Sequence, residues 1–229
     1  MNPFQPDDHL HGDGDDRGDL SWNEYDWNRF LGRQSREIAR FCSLYDQLSG
    51  EADHLDVIAQ RMGWDEDDWT LGDEDDEPEP ENFLVDEREE PTDLDPYTIH
   101  RHPVFIVGNG LLRQLYHMTE LLIRTNEEKL SPSVTWRFAM VFNEIERNLL
   151  LSLQSVDVGD YLLGVIHAKM VLRAVNDALA LVPAMARLAK EPERFAHESR
   201  KRFFDLREIA FRVMQDCREE DRGGFRDGE

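Results

Sequence analysis

The negative charge of this 229-residue chain is confined to its N-terminal part, and this asymmetry limits what each part can do. Residues 1–96 contain 30 Asp and Glu against 7 Arg, a net charge of −23, whereas residues 97–229 contain 19 acidic and 19 basic residues. Because phosphate groups are bound by basic side chains, the acidic part is not expected to bind bare nucleic acid or an anionic membrane. The split predicts an acidic appendage joined to a neutral folded part.

Two acidic stretches lack the apolar residues that a folded core needs. Residues 1–20 are rich in Asp, Gly and His, which predicts a disordered acidic tail. Residues 64–98 are predicted to be an acidic, largely irregular linker, because 17 acidic residues and a single base in residues 65–96 repel one another. Residues 21–63 between them are predicted to form a helical segment, and residues 223–229 a second disordered tail.

The predicted N-terminal segment contains one or two helices. Ser21 and Glu24 have the spacing of a capping box, in which each side chain accepts a hydrogen bond from the other residue's backbone, so a helix is predicted to begin there. Ser49-Gly50 is predicted to end this helix. A shorter helix is expected to follow over about 51–62.

Residues 99–222 are predicted to form an up-down four-helix bundle, because apolar residues recur there at helical spacing and the connections are short. The four helices are predicted over about 103–126, 131–155, from Asp157 or Asp160 to about 182, and 191–220. Pro183 is expected to end or kink the third of them. The predicted fold class is therefore all-α, a C-terminal up-down four-helix bundle preceded by one or two N-terminal helices and the acidic linker.

His167 is the candidate for a buried functional group. The helical period of about 100° per residue places it opposite a polar stripe that includes Lys169 and Arg173, and in line with Asp160. This position predicts a histidine inside the bundle. Two interpretations stay open: a neutral core histidine bonded to one neighbour, which we favour, or a base or metal ligand oriented by Asp160.

The remaining sites of known chemistry find little support in the sequence. A carboxylate-bridged metal site in a bundle needs Glu-x-x-His sets on facing helices, and the chain has only the reversed His117-x-x-Glu120, where Glu120 is expected to pair with Arg124 on a polar face. Gly108 and Gly110 do not form a phosphate-binding motif and are predicted to allow close packing or a bend. No metal site and no cofactor are predicted.

Apolar residues within the acidic linker predict a segment that binds a protein partner. They are Trp64, Trp69, Leu71, Phe83 and Leu84. Apolar anchors surrounded by charge are typical of segments that fold on binding, and the alternative is that they pack on the bundle of the same chain. In the second bundle helix, Trp136, Met140 and Leu151 lie on the polar side and need a cover.

A basic stripe is predicted near the start of the last helix. It comprises Arg187, Lys190, Arg194 and Lys201. Such a stripe can bind nucleic acid, but it lacks interleaved aromatic residues for base stacking. The other interpretations are a solvated surface and a contact with the acidic linker.

These patterns together predict a non-catalytic helical interaction or regulatory protein, whose acidic arm modulates contact with a protein partner or a second copy. The first twenty residues have no apolar run, and Cys42 and Cys217 make no disulfide framework, which favours a cytoplasmic, membrane-free location. The principal alternative is a bundle enzyme or metal-binding protein with a buried site around His167. The second alternative is a nucleic-acid-associated protein that uses the basic stripe.

Overall fold

The computed structural model describes residues 23–64, 99–126, 128–129 and 131–223, and these residues form an all-helical structure. Its α-helices run over Glu24–Leu48 (α1), His54–Met62 (α2), Pro103–Thr125 (α3), Pro132–Asp157 (α4), Tyr161–Ala186 (α5) and Pro192–Gly223 (α6). A 3-10 turn over Ile99–Arg101 precedes α3. The predicted all-α class is confirmed, and the predicted linker lies outside the described residues except for Trp64.

Helices α3 to α6 form the bundle. Each packs on the next along the chain, and α6 closes the ring against α3. The connections are short, as in the three residues between α4 and α5, so consecutive helices run in opposite directions. The predicted up-down four-helix bundle is confirmed.

Two glycines let α3 lie close to both α1 and α4. A Cβ atom on Gly108 would overlap the Leu149 side chain of α4, and one on Gly110 would overlap the Phe41 ring of α1. Only a residue without a side chain fits at either position without displacing its neighbour. The predicted packing role of these glycines is confirmed, and it draws α1 into the same apolar core as the bundle.

The first helix begins later than predicted. Asn23, not Ser21, is the N-cap: its side chain accepts hydrogen bonds from the backbone N–H groups of Tyr25 at 2.8 Å and Asp26 at 3.1 Å. The Asp26 carboxylate in turn accepts from the Asn23 backbone N–H at 3.1 Å. The prediction of a Ser21–Glu24 capping box is wrong because the same three-residue spacing occurs again two residues later, with side chains equally suited to it.

The third bundle helix continues past its proline. Of the two expectations for Pro183, an end of the helix near Val182 is wrong, since α5 includes Pro183 and runs to Ala186. A proline inside a helix removes one backbone hydrogen bond. Here Val182 and Met185 on either side are fully buried, and their packing holds the last turn in place.

The short helix α2 packs on α1 and α6. Its N-cap, Asp53, has φ of 52° and makes no hydrogen bond through its side chain to the helix. This left-handed conformation is uncommon for a residue other than glycine. Contacts further along hold α2 in place, including an ion pair from Asp56 to Arg212 of α6 and a hydrogen bond of 2.9 Å from Arg40 of α1 to the Arg61 carbonyl.

Candidate functional site

His167 lies at the seam between α5 and α4, where it is half-buried. Its Nδ1 is 3.1 Å from Oδ1 of Asn148, whose side chain is almost fully buried and whose amide nitrogen donates to the Glu144 carbonyl at 2.8 Å. Because that nitrogen already donates, the amide oxygen is the acceptor and His167 Nδ1 carries the proton. The partner is a neutral amide, which does not activate a base as a carboxylate would.

Asp160 is not brought to His167. It is the exposed N-cap of α5, and its carboxylate accepts from the Leu163 backbone N–H at 3.1 Å. His167 and Asp160, the weak catalytic candidates, therefore bond to different groups. His167 bonds to the Asn148 side chain of α4, and Asp160 caps the first turn of its own helix.

Of the predicted partner-binding anchors, the structure describes only Trp64. It is half-buried and packs against the chain's own core, just after α2. Trp69, Leu71, Phe83 and Leu84 lie outside the described residues.

The predicted basic stripe surrounds the connection between α5 and α6. Arg187, Lys190 and Arg194 are exposed, whereas Lys201 is half-buried. Arg194 lies 3.4 Å from the Glu191 carboxylate, and both side chains are largely exposed. An exposed pair of this kind contributes little to stability, and it reduces the positive potential available to a nucleic acid.

A buried polar cluster that the sequence did not reveal joins α1 and α2 to α6. The Tyr45 hydroxyl donates to Oδ2 of Asp205, and Nε2 of His54 lies 3.1 Å from the same oxygen. Asp205 is 7% exposed. Burial, followed by the charge of Asp205, raises the pKa of Tyr45 above its ordinary value, so the hydroxyl stays protonated and remains a donor.

Arg202 balances the charge beside this cluster. Its guanidinium lies 5.1 Å from the centre of the Tyr45 ring, and its side chain is 8% exposed. Its Nε donates to Gln114 of α3 at 2.9 Å, and a terminal nitrogen donates to the Glu198 carboxylate at 2.7 Å. Because these groups bond one another, the cluster links four helices, α1, α2, α3 and α6.

The signal for this cluster in the sequence was weak. Tyr45 and His54 are 160 and 151 positions from Asp205, so no local pattern connects them. What could have indicated it is that Asp205 lies four residues before Ile209, on the apolar stripe of its helix.

The α4–α5 connection and the first turns of α5 carry a group of exposed apolar side chains, which we call the α5 face. It comprises Val158, Leu162, Leu163, Ile166 and Met170, which are between 42% and 76% exposed. Isolated exposed apolar residues are normal on any protein, whereas several close together make a candidate contact surface.

The α5 face points away from the bundle. On the opposite side of α5, the Gly164 carbonyl accepts from the Ser152 hydroxyl of α4 at 2.9 Å. A Cβ atom added to Gly164 would lie 3.1 Å from the Cys217 sulfur of α6. Leu151 of α4, which the sequence placed on the polar side of that helix, is half-buried.

A second apolar surface is a groove of about 300 Å³ between α3 and α4. Tyr116, Ile123, Ala139 and Phe142 contribute to its lining, and the Glu120–Arg124 ion pair, predicted from the sequence, spans 2.6 Å at the same groove. On α4, Trp136 and Met140 are exposed, as their position on its polar side predicted. The two charged side chains that line the groove are thus paired with each other.

Within the parts of the chain that the structure describes, no group of three or more His, Cys, Asp and Glu is arranged to hold a metal ion. The same residues include no helix long and apolar enough to cross a membrane. Both cysteines are free thiols, Cys217 buried and Cys42 half-buried. Comparison of the chain with protein-family models, with curated proteins and with solved structures found no match.

Proposed function

We propose that this chain is a non-catalytic helical protein that binds another protein through the α5 face. The observation that carries the proposal is the exposure of five large apolar side chains within thirteen residues, at the α4–α5 connection and the start of α5, a helix that packs on α4 and α6. Water at such a surface is released when a partner covers it, and this release drives association.

The energetics indicate how large the contact has to be. Covering a half-exposed side chain of this size contributes about 1 kcal/mol, so the α5 face supplies about 5 kcal/mol. Association itself costs about 4–15 kcal/mol in lost freedom of motion. The partner therefore has to contact residues beyond these five, including the exposed charged residues of α5 such as Lys169 and Arg173.

The acidic N-terminal part is proposed to modulate this contact. Residues 1–96 carry a net charge of −23, and the exposed bases Lys169 and Arg173 lie among the residues of the α5 face. Attraction between the two competes with a partner at low salt and weakens as salt screens it. The proposed setting is the cytoplasm, where both thiols stay reduced.

A catalytic role has less support from the same residues. His167 bonds to an amide, and the Tyr45–Asp205 group bonds within itself. An acid or base in catalysis needs both a tuned charge and access to a substrate. These two groups instead have the roles of a seam contact and an internal brace.

The test compares matched variants of the full chain as bait in an extract of the native cell. Ile166→Glu places a charge in the α5 face, and Leu121→Glu makes the same change at an exposed position of α3, away from the face. We expect proteins retained by the wild type to be retained by Leu121→Glu and lost with Ile166→Glu, with mass spectrometry as the readout. Identical retention by all three baits would overturn the proposed docking face.

A further inference from the structure

We propose that residues 65–98, the part of the acidic linker that follows Trp64, dock on their own chain along a line of arginines on α1. This line, which we call the α1 stripe, consists of Arg29, Arg33, Arg36 and Arg40, joined by Arg101 of the 3-10 turn. The α1 stripe and the α5 face are different surfaces, so either proposal can fail without the other. Residues 1–20, with six Asp and one Arg, are left for the modulating role at the α5 face.

The four arginines of α1 lie on one side of the helix. They are separated by four, three and four residues, so at 100° per residue they fall within an arc of about 60°. The buried residues Phe41 and Tyr45 lie about 110° and 150° around the helix from the middle of this arc. Arg29, Arg36 and Arg40 are exposed, and at 1.5 Å per residue the four arginines extend over about 16 Å.

Arg101 adds a fifth base beside the start of this line. Its guanidinium lies 5.7 Å from the centre of the Phe30 ring, and Arg101, Arg33 and Glu37 line the same small cavity of about 50 Å³. Partial burial raises the pKa of the Glu37 carboxyl, and the bases of the α1 stripe oppose this effect, Arg101 most strongly. Because Glu37 is the single acid among residues 29–40, the five bases keep a net charge of +4.

Both ends of the linker lie beside the α1 stripe. At one end, Arg40 donates a hydrogen bond of 2.9 Å to the Arg61 carbonyl, three residues before Trp64. At the other end, Arg101 is the third residue after the linker, and it lies against the Phe30 ring. The chain therefore enters the linker beside the last arginine of the stripe and leaves it beside the first two.

The linker has the charge and the length that the α1 stripe requires. Residues 65–98 contain 17 Asp and Glu and one Arg, a net charge of −16. Their 34 residues can extend over about 110 Å, several times the length of the stripe, so docking does not stretch the chain. Because both ends are tied beside the stripe, the effective concentration of the linker there is high, and several weak ion pairs act together.

The other basic surface lies further from the linker. Arg187, Lys190 and Arg194 surround the start of α6, whereas α2, which leads into the linker, contacts α6 at Asp205 and Arg212. Asp205 comes eleven residues after Arg194, about 16 Å along the helix. Of the two basic surfaces, the α1 stripe is therefore the one that the linker meets first.

The exposed arginines at the two ends of the α1 stripe are available to carboxylates of the linker. Neither Arg29 nor Arg40 forms an ion pair with a residue that the structure describes. A nucleic acid would also be attracted to these bases. The tethered linker repels it, however, because the negative charge of the linker exceeds the positive charge of the stripe.

The first experiment cross-links carboxylates to an introduced amine with a carbodiimide, on the full chain at low salt. Arg29→Lys and Arg40→Lys keep the positive charge and supply the amine, and peptide mass spectrometry locates the partner. We expect both variants to be linked to acids of residues 65–98 in chains that remain monomeric, and the native Lys190 to form no such link. Absence of these links in both variants overturns the docking. Links found only in dimers assign the linker to a second copy and overturn docking within one chain.

The second experiment measures how fast a glutamate-specific protease cuts residues 65–98. Two matched variants of the full chain each replace three exposed bases by Gln. They are changed at Arg29, Arg36 and Arg40 of the α1 stripe, or at Arg187, Lys190 and Arg194 near the start of α6. We expect the first variant to be cut at least about 5-fold faster than the wild type at low salt, and the second at the wild-type rate, because docked carboxylates are protected.

Salt and the position of the cuts complete this test. At about 0.5 M salt the difference between the variants should vanish, since ion pairs on the surface are screened. Cuts confined to residues 65–98 distinguish release of the linker from unfolding of the helices. Equal cutting of all three proteins at low salt overturns the docking. If the wild type then also retards a single-stranded oligonucleotide and the α1-stripe variant does not, the stripe belongs to nucleic acid instead.

Discussion

At Asp205, one carboxylate oxygen binds side chains from two other helices, the Tyr45 hydroxyl of α1 and the His54 ring of α2. A buried carboxylate is stable only when such partners replace the water that it lost on folding. The nearby Arg202 guanidinium supplies the compensating charge. Removing a single polar atom from one of these side chains is therefore expected to lower the free energy of unfolding.

The first prediction concerns Tyr45→Phe. The change leaves the His54 ring as the remaining partner of this Asp205 oxygen, and we expect the free energy of unfolding to fall by about 1–3 kcal/mol. The matched control is Tyr116→Phe, whose hydroxyl makes only long contacts of 3.4 Å to Asn143 and Glu146 near the surface, and should cost less than about 1 kcal/mol. Urea denaturation measures both, and equal losses would contradict a special role for the Tyr45–Asp205 bond.

The second prediction concerns Asp216 in α6. Burial, with Glu219 next in importance, raises the pKa of its carboxyl from 3.8 to about 6. Below pH 3.8, Asp216 is protonated in both the folded and the unfolded protein, and the stability that it contributes is fully present. This stability is lost as the pH rises through about 6, because the unfolded chain releases the proton at a lower pH than the folded protein does.

Asp216→Asn is consequently expected to be more stable than the wild type at pH 7, with the difference shrinking toward pH 4. Urea midpoints measured from pH 4 to pH 8 test this, and Asp221→Asn, an exposed change in the same part of α6, is the control. A variant that is less stable than the wild type at pH 7 would refute the assignment.

At the scale of the helices, periodicity predicted which segments are helical but not where each one ends. The apolar repeat is a property of the whole segment, so it survives an error of a residue or two. The start of α1 after Asn23 was not predicted, because two sets of capping residues with the same spacing lie two residues apart. The passage through Pro183 depended on burial of Val182 and Met185 by other helices, which local sequence does not encode.

The third prediction uses the glycines of the helices. Gly110→Ala would push a methyl group into the buried Phe41 ring, and we expect a loss of about 1–3 kcal/mol. Gly32→Ala, in α1 with open space around it, should instead stabilise by about 0.5–1 kcal/mol because alanine is the better helix former.

Gly108→Ala should cost less than Gly110→Ala, since it meets only the end of the flexible Leu149 side chain. Thermal and urea unfolding of the three variants give the order directly. Stabilisation by Gly110→Ala would contradict the close approach of α1 to α3.

At the scale of the whole molecule, α1 and α2 belong to the same apolar core as the bundle. Phe41, Tyr45 and Ile58 are fully buried in contact with it. Removing two helices would expose the surfaces of α3 and α6 on which these residues pack. The bundle is therefore not expected to be stable without them.

The fourth prediction compares two truncated chains. A chain of residues 23–229 keeps every described helix and should unfold at nearly the wild-type midpoint. A chain of residues 99–229 should lose more than about 5 kcal/mol, the lower range of total stability for a domain, and bind a hydrophobic dye. A cooperative unfolding transition of residues 99–229 at the wild-type midpoint would show that α1 and α2 are dispensable.

The candidate surfaces were only partly predictable from the sequence. Helical phase placed His167 on the side of α5 away from the polar stripe, but its partner Asn148 could be identified only from the packed helices. The sequence showed that apolar residues lie around most of α5. Which of them are exposed could not be predicted, because exposure depends on how many helices surround α5 in the assembled bundle.

The left-handed backbone at Asp53 marks the place where local unfolding is expected to begin. A residue other than glycine in this conformation costs about 1–2 kcal/mol, and the first turn of α2 gains no capping bond in return. Local opening begins where the free energy holding a segment is smallest. The amide hydrogens of α2 should accordingly exchange with deuterated solvent ahead of those in α5. Among the protease cuts that fall within the described helices, the first is expected near Asp53.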